Sequence, residues 1–320
     1  MNWTYQKGLH ELGNGSFAWL APDGSWGWSN AGLITDGEES LLVDTLFDLP
    51  LTQEMLDAMR DAAPGTAINT LVNTHANGDH CHGNELVHGA EIIASAASAE
   101  EMNELPPDAL AAIMQMADQL GPAGAYLKHC FGRFQLDGIR FTPPTRTFSQ
   151  ELSVRVGDKP VQLIEVGPAH TRGDVLVYSP HDRTVFTGDI LFIEGTPIMW
   201  QGPVANWIAA CERIESMDVE TIVPGHGPIT DKAGVRRVRE YLGFVRDEAR
   251  ARYDAGMDAF EAAKDIELGP FAGWLDSERI AVNVDTLYRE FNNDTAMTDV
   301  VELFTRMASL AGFDSVPAEQ

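Results

Sequence analysis

The feature that most constrains this chain is a run of metal-binding side chains directly after an apolar segment. Residues 70–73 are predicted to form a β-strand, and residues 74–84 then read T-H-A-N-G-D-H-C-H-G-N. His75, Asp79 and His80 lie within six residues, and Asn77 adds a further oxygen donor. Imidazoles and carboxylates are the ligands expected for zinc or for non-haem iron and manganese. The run therefore predicts a metal site at the end of a strand.

Three later segments place a His or an Asp in a similar position. The sequences G-P-A-H-T at 167–171, F-T-G-D at 186–189 and P-G-H-G-P at 224–228 each follow a predicted strand. They contribute His170, Asp189 and His226, each with a glycine nearby. Strand ends on a rigid sheet can hold metal ligands accurately. We therefore expect these side chains to belong to the same site as the first run.

The order of these motifs resembles the metallo-β-lactamase superfamily. The sequence L-V-D-T at 42–45 is similar to that family's first motif, in which an acidic residue follows a strand. The resemblance covers roughly residues 15–230, about two-thirds of the chain. It implies an α/β fold, the four-layer αββα sandwich, with two packed sheets, helices outside them and a metal site at one edge.

The resemblance also implies roles for individual residues. It implies two divalent metal ions, zinc first and iron or manganese as alternatives. The implied metal ligands are His75 and His170 at the first site, Asp79, His80 and His226 at the second, and Asp189 as the bridge. The candidate catalytic residues are Asp79, which would orient the attacking water and shuttle a proton, Asn77 beside the first site, and Asp44, which would orient a ligand loop.

One position departs from the family pattern. The usual motif reads H-x-H-x-D-H, and Asn77 stands where the second His is expected. An amide can ligate only through its neutral oxygen, which is a poor zinc donor beside imidazole. In one interpretation the site is dinuclear, and Asn77 ligates weakly or hydrogen-bonds a metal-bound water. In a second interpretation the first site is weak or empty. In a third interpretation, His82 or another nearby donor substitutes for the missing imidazole.

Other side chains near these motifs have ordinary structural explanations. A histidine outside the motif positions usually makes a simple hydrogen bond, and a cysteine such as Cys81 is most often a small buried filler. Aromatic residues near loops more often belong to the core than to a substrate pocket. The aromatic candidates for pocket contact are Trp26, Trp28, Tyr126, Phe131 and Trp200.

The remaining pattern predicts how the chain is organised. Residues 1–230 are predicted as the metallo-β-lactamase-like domain, with a helical insert at about 95–136, and residues 231–320 as a helical C-terminal extension. Thr52 is predicted to cap a helix that ends before Pro64. Residues 139–142 are predicted as a strand after the insert.

Charge and hydropathy limit the partners and the location. The 320 residues contain 48 acidic and 22 basic side chains, a net charge of −26. This argues against nucleic acid or an anionic membrane as a partner and leaves a small-molecule substrate. Without a basic start followed by an apolar stretch, we expect no secretory signal and a cytoplasmic location. A homodimer is the expected assembly, because symmetric dimers are the commonest oligomers.

The metal-binding motifs and the family that they resemble favour a metal-dependent hydrolase. A metal-bound hydroxide would attack a small ester, lactone, thioester or related substrate. The first alternative is a non-haem iron oxidoreductase on the same fold, similar to a thiol dioxygenase, which a single metal would favour. The second is a non-catalytic protein that keeps its metal for stability.

Overall fold

The computed structural model describes residues 3–313 and contains two β-sheets. The first sheet has the order β1-β2-β3-β4-β5-β6-β7, with strands Gly8–Gly13, Ser16–Leu20, Ala31–Asp36, Glu39–Val43, Ala67–Val72, Glu91–Ser95 and Arg146–Phe148. The second has the order β12-β11-β10-β9-β8, and β8 to β12 are Glu151–Val156, Lys159–Glu165, Val175–Ser179, Thr184–Phe186 and Thr221–Val223.

Strand direction determines which ends of the sheets can carry a site. Strands β1 to β4 pair antiparallel, whereas β4 to β7 pair parallel. In the second sheet only β11 and β12 pair parallel. Parallel neighbours end at the same edge of a sheet. The segments after β4 and β5, and those after β11 and β12, therefore leave their sheets side by side.

Alternating apolar side chains build the layers. In β4, Leu41 and Val43 belong to a buried cluster between the sheets, and Leu42 belongs to a second cluster on the outer face. This period of two is what a strand with two covered faces requires. The outer cluster contains helix α1 (Leu49–Ala62), and a third cluster places helix α6 (Val204–Ser216) on the second sheet. The arrangement confirms the four-layer αββα sandwich.

Helix α2 (Gly78–Cys81) is a single turn between β5 and β6, and the remaining helices form an insert and an extension. They are α3 (Ala96–Met102), α4 (Pro107–Gln115), α5 (Gly121–Phe131), α7 (Lys232–Asp254), α8 (Ala259–Asp265), α9 (Ile280–Asn292) and α10 (Val300–Leu310). Helices α3 to α5 lie between β6 and β7, and α7 to α10 follow the last strand, as predicted. Between residues 3 and 313, no helix has both the length and the apolar character needed to cross a membrane.

The extension packs directly on the sandwich. Helix α7 packs against α6, and α10 packs against α5 of the insert. One hydrophobic cluster runs from Trp207 of α6 through Leu242 of α7 and Leu287 of α9 to Phe304 of α10. A shared core of this kind couples the extension to the sheet below it. The domain boundary near residue 230 stays a prediction.

Two predicted details are wrong. Asp48, not Thr52, caps α1: its Oδ1 accepts the Leu51 N–H at 2.9 Å, and Thr52 lies inside the helix. Residues 139–142 are not a strand, and β7 takes the edge position beside β6. Pro143 and Pro144 precede β7 and have no N–H to donate to a ladder, so pairing begins only after them. Strands β1, β6 and β7 were not predicted.

Candidate metal centre

Five chain segments that leave strand ends meet at one edge of the sandwich. Each brings one or more of the predicted residues. The segment after β4 carries Asp44, that after β5 carries His75, Asn77, Asp79 and His80, and those after β9, β11 and β12 carry His170, Asp189 and His226. The structure therefore brings together every residue that the sequence predicted for the site.

Asp189 lies at the centre of four imidazoles. Its Oδ1 is 3.1 Å from His80 Nε2. Its Oδ2 is 3.3 Å from Nε2 of His170, 3.4 Å from Nε2 of His226 and 3.7 Å from Nε2 of His75. All four rings thus direct the same nitrogen at one buried carboxylate. This is the position that a bridging ligand between two cations requires.

Backbone carbonyls hold two of the four rings. The Nδ1 of His170 lies 2.7 Å from the carbonyl oxygen of Ile198, and the Nδ1 of His226 lies 3.0 Å from that of Gly24. A carbonyl can only accept, so both Nδ1 atoms carry a proton and donate it. This fixes the tautomer and leaves a lone pair on Nε2 when the ring is neutral, which is the form that binds a metal.

Asp44 orients the other two rings. Its Oδ2 is 2.9 Å from Nδ1 of His80 and also accepts the Thr74 hydroxyl at 2.7 Å. That hydroxyl oxygen lies 3.0 Å from Nδ1 of His75. Because the hydroxyl donates its hydrogen to Asp44, it accepts one from His75. One buried carboxylate therefore positions both rings, and the predicted role of Asp44 agrees with these contacts.

The amide of Asn77 lies between two imidazoles. Its Oδ1 is 2.7 Å from Nε2 of His170 and 3.2 Å from Nε2 of His75. We call His75, Asn77 and His170 the amide half of the site. The Asn77 oxygen thus faces both imidazoles of this half. Whether it ligates a metal ion, binds a metal-bound water or leaves the first site weak stays a prediction.

Asp79 takes the corresponding place in the other half. Its Oδ2 is 3.3 Å from Nε2 of His226 and 3.9 Å from Nε2 of His80. We call Asp79, His80 and His226 the carboxylate half. The Asp79 side chain is 14% exposed, whereas that of Asp189 is 4% exposed. Asp79 is therefore the carboxylate of this pair that water reaches more easily.

The buried charges of the site shift the pKa values of its residues strongly. Burial alone would raise the pKa of Asp189, but His226 and His80 outweigh it and hold that pKa well below its ordinary value. Burial would lower the pKa of His226, yet Asp189 and Asp79 outweigh it and raise the pKa to about 9. Burial lowers the pKa of His75 well below its ordinary value. Asp189 is thus ionised and His75 neutral at pH 7, the forms in which these two residues bind a metal, whereas His226 holds a proton until a cation displaces it.

The chemistry of these donors fits a metal cation. His80 Nε2 and Asp189 Oδ1 are buried and have no hydrogen-bond partner among the described residues, although they lie 3.1 Å apart. In the amide half, the lone pairs of His170 Nε2 and Asn77 Oδ1 face each other at 2.7 Å. The contact between His170 and Asn77 repels unless a proton or a metal ion lies between the two atoms. At His80 burial would lower the pKa, but Asp189, Asp79 and Asp44 outweigh it and raise that pKa, so a cation there displaces a proton. Burial lowers the pKa of His170 and so disfavours the proton.

His82 and Cys81 do not join the donor groups. Two groups of donor atoms within 4.8 Å of one another occur among the described residues, and neither contains His82. The His82 ring stacks on Phe47 with centroids 5.4 Å apart, and burial lowers its pKa to about 4. The Cys81 thiol donates towards the Asn77 carbonyl at 3.3 Å, and burial raises its pKa. These contacts suit a packing role for both side chains.

Sequence reasoning missed the residues that support the His226 turn. The Asn30 amide donates to the carbonyls of Pro224 at 3.0 Å and Gly227 at 2.8 Å, on either side of His226. A Cβ on Gly225 would lie 2.0 Å from Asp189 Oδ1, so only glycine fits there. The glycine beside His226 was a visible signal, whereas a lone asparagine between two strands carries none.

Aromatic side chains form a cluster beside the site. The Trp26 ring lies 5.6 Å from Phe131 and 6.4 Å from Trp200, measured between centroids. Phe192 stacks on His226 at 5.0 Å, and the Arg279 guanidinium lies over both Phe192 and Trp26. The predicted aromatic candidates thus pack largely on one another, and none of these contacts shows a substrate pocket.

Comparison with known proteins agrees with this geometry. Residues 24–226 match the family model of the metallo-beta-lactamase superfamily. The 2,4-dinitroanisole O-demethylase subunit alpha of Nocardioides sp. (strain JS1661) is 26% identical over 61% of this chain and 51% of its own. The hydroxyacylglutathione hydrolase of Fuscovulum blasticum is 25% identical over 57% of this chain and 56% of its own. The chain thus matches only about half the length of these curated relatives.

Solved structures share the fold. The stereoselective inverting sec-alkylsulfatase Pisa1 from Pseudomonas sp. superposes with a TM-score of 0.65 at 15% identity. The match covers 89% of this chain and 50% of that protein. At this identity the likeness establishes the architecture alone.

Proposed function

This chain belongs to the metallo-beta-lactamase superfamily, and from that premise we propose that it is a metal-dependent hydrolase. Its two halves of the site would hold two divalent metal ions, with zinc as the first choice. The substrate would be a small ester, lactone, thioester or related compound. One curated relative is named a hydroxyacylglutathione hydrolase, which supports a hydrolytic function for the superfamily core.

The observation that carries this proposal is the convergence on Asp189. Four imidazole Nε2 atoms lie within 3.1 to 3.7 Å of its carboxylate oxygens. Asn77 and Asp79 add one oxygen donor each, at opposite halves. A site that only stabilises the fold is usually closed by four ligands and needs no bridging carboxylate between two sets of donors. Two divalent cations in such a site lower the pKa of water and withdraw electron density from a substrate oxygen.

The chain's own residues would then bind, orient and move protons. The cations would be held by His75, His170, His80 and His226, whose Nδ1 contacts keep each ring at a fixed angle. Asp79 is the partly exposed carboxylate, so it can accept a proton from water and return it to the leaving group. Residues 76–79 are half-buried while the imidazoles are buried, so the substrate would approach over this turn.

Metal content and turnover test this proposal together. The full chain is purified without added metal, its metal content is measured by elemental mass spectrometry, and it is then stripped and reloaded with zinc, manganese or ferrous iron. A panel of chromogenic esters, lactones and thioesters is assayed for each form. We expect up to two metal ions per chain and hydrolysis that disappears on stripping. The matched control is Asp79→Asn, which keeps the side-chain shape but removes the charge and the proton acceptor.

Other outcomes would point to the alternatives. One iron per chain with thiol-dependent oxygen uptake would replace the hydrolase with an iron oxidoreductase. Bound metal without turnover of any hydrolytic substrate would indicate a binding protein. Failure to take up metal after reconstitution would contradict the site itself.

A further inference from the structure

Helix α9 of the C-terminal extension contacts a buried loop that touches the amide half. The loop comprises residues 194–203 and contains no regular helix or strand. Ile198 and Met199 within it are 2% and 1% exposed. A buried loop cannot hydrogen-bond to water, so its backbone groups need partners from elsewhere in the protein.

Side chains of α9 supply those partners. The Asn283 amide donates to the Pro197 carbonyl at 2.9 Å and accepts the Met199 N–H at 2.7 Å. It thereby binds the residues on both sides of Ile198. The Thr286 hydroxyl donates to the Met199 carbonyl at 2.7 Å. Asn283 and Thr286 are each 1% exposed, so water cannot replace either one.

The loop in turn fixes His170. The carbonyl oxygen of Ile198 accepts the Nδ1 proton of His170 at 2.7 Å. The backbone N–H groups of Trp200 and Gln201 donate to the His170 carbonyl at 3.1 and 3.2 Å. Both the ring and the backbone of His170 are therefore held by a segment whose own position depends on α9.

We propose that Asn283 and Thr286 are positioning residues for the amide half, and that through residues 197–200 they set how tightly His170 binds metal. This inference rests on the proposed function, because it requires a metal ion at His170. The amide half needs such support, since its neutral Asn77 oxygen attracts a cation less than the Asp79 carboxylate does. The extension is thus a working part of the site, 84 residues in sequence from Met199 to Asn283.

Metal affinity tests the inference without reliance on turnover. Two zinc affinities are measured by chelator competition for the full-length wild type and for Asn283→Ala and Thr286→Val. Partners that orient metal ligands typically change metal affinity by about 10- to 100-fold when they are removed. We expect the weaker zinc affinity to fall by about tenfold in either variant, with the tighter one unchanged. Thr286→Val keeps the side-chain shape and so serves if Asn283→Ala does not fold.

The control is Tyr241→Phe. The Tyr241 hydroxyl accepts a hydrogen bond from the Asn283 amide at 2.9 Å, and among the described residues it has no hydrogen bond to the loop. The Tyr241→Phe variant should lose a buried hydrogen bond and some thermal stability, but it should keep both zinc affinities. The inference would be overturned if Asn283→Ala and Thr286→Val lost both zinc affinities equally. It would also be overturned if a folded variant kept the wild-type affinities. The proposed function would stand in either case. A wild type with a single zinc and no weaker second one would also overturn it. A wild type that binds no metal would overturn both proposals.

Discussion

The two halves of the site differ mainly in one donor. Each has two imidazoles and shares Asp189, but the amide half adds the neutral oxygen of Asn77 and the carboxylate half adds Asp79. A carboxylate attracts a cation through a full charge, and an amide only through its dipole. From this difference we predict a strong and a weak metal position side by side, with the weak one depending more on how its rings are held.

The largest effect should come from the carboxylate half. Asp79→Ala and His226→Ala each remove a ligand there, and Asp79→Ala also removes the proton acceptor. We expect hydrolytic activity to fall by at least about a thousandfold in each, with reduced metal content. Activity and elemental analysis check this, with the fully exposed Asp158→Ala as the control. If either variant keeps its metal and its rate, our assignment of this half is wrong.

Asp44→Asn should weaken both halves together. Asp44 accepts from His80 directly and from His75 through the Thr74 hydroxyl. The asparagine side chain keeps the shape of Asp44 but has only one oxygen, so it cannot accept hydrogen bonds on both sides as the carboxylate does. We expect each metal affinity to fall by about 10- to 100-fold, measured by chelator competition. A loss confined to one half would show that the shared orientation by Asp44 does not operate.

Asn77→His should make the halves more alike. An imidazole in place of the amide restores a good zinc donor beside His170 and His75. We expect the weaker affinity to rise by about tenfold or more, again measured by competition. Asn77→Asp is the matched comparison, because it adds charge without adding a nitrogen ligand. Unchanged stoichiometry and affinity in Asn77→His would mean that residue 77 does not face a metal.

The smallest expected effect is the difference between the two halves in how readily each loses its metal to a chelator. With increasing chelator we expect one metal equivalent to leave before the other, at concentrations about tenfold apart, or about 1.4 kcal/mol. Because bound metal stabilises the folded state, the melting temperature should fall in two steps. Differential scanning calorimetry alongside elemental analysis checks this. A single step with simultaneous loss would remove the distinction between the halves.

Much of the core of the site could be predicted because its signals are local. His75, Asp79 and His80 follow one strand within six residues, and His170 and His226 each follow another strand with a glycine within three residues. The sandwich was implied by the family that these motifs resemble. Strand β6 was missed, and the cap of α1 was assigned to Thr52 rather than Asp48. The position of β6 depends on the strands that pair with it, and the cap of α1 depends on the residue at which the helix begins. The cytoplasmic location, the homodimer and the boundary near residue 230 stay predictions.

The sequence by itself determined the family, the order of the strand ends and the residue types available for a metal. Only the tertiary structure decided that the Asn77 oxygen faces His170, that Asp44 orients two rings, and that α9 supports the loop beside His170. The physical reason is that these contacts join distant segments, often through backbone groups. His226 binds the Gly24 carbonyl across 202 residues, and Asn283 binds Met199 across 84. Every residue has such backbone groups, so no motif marks the ones that are used.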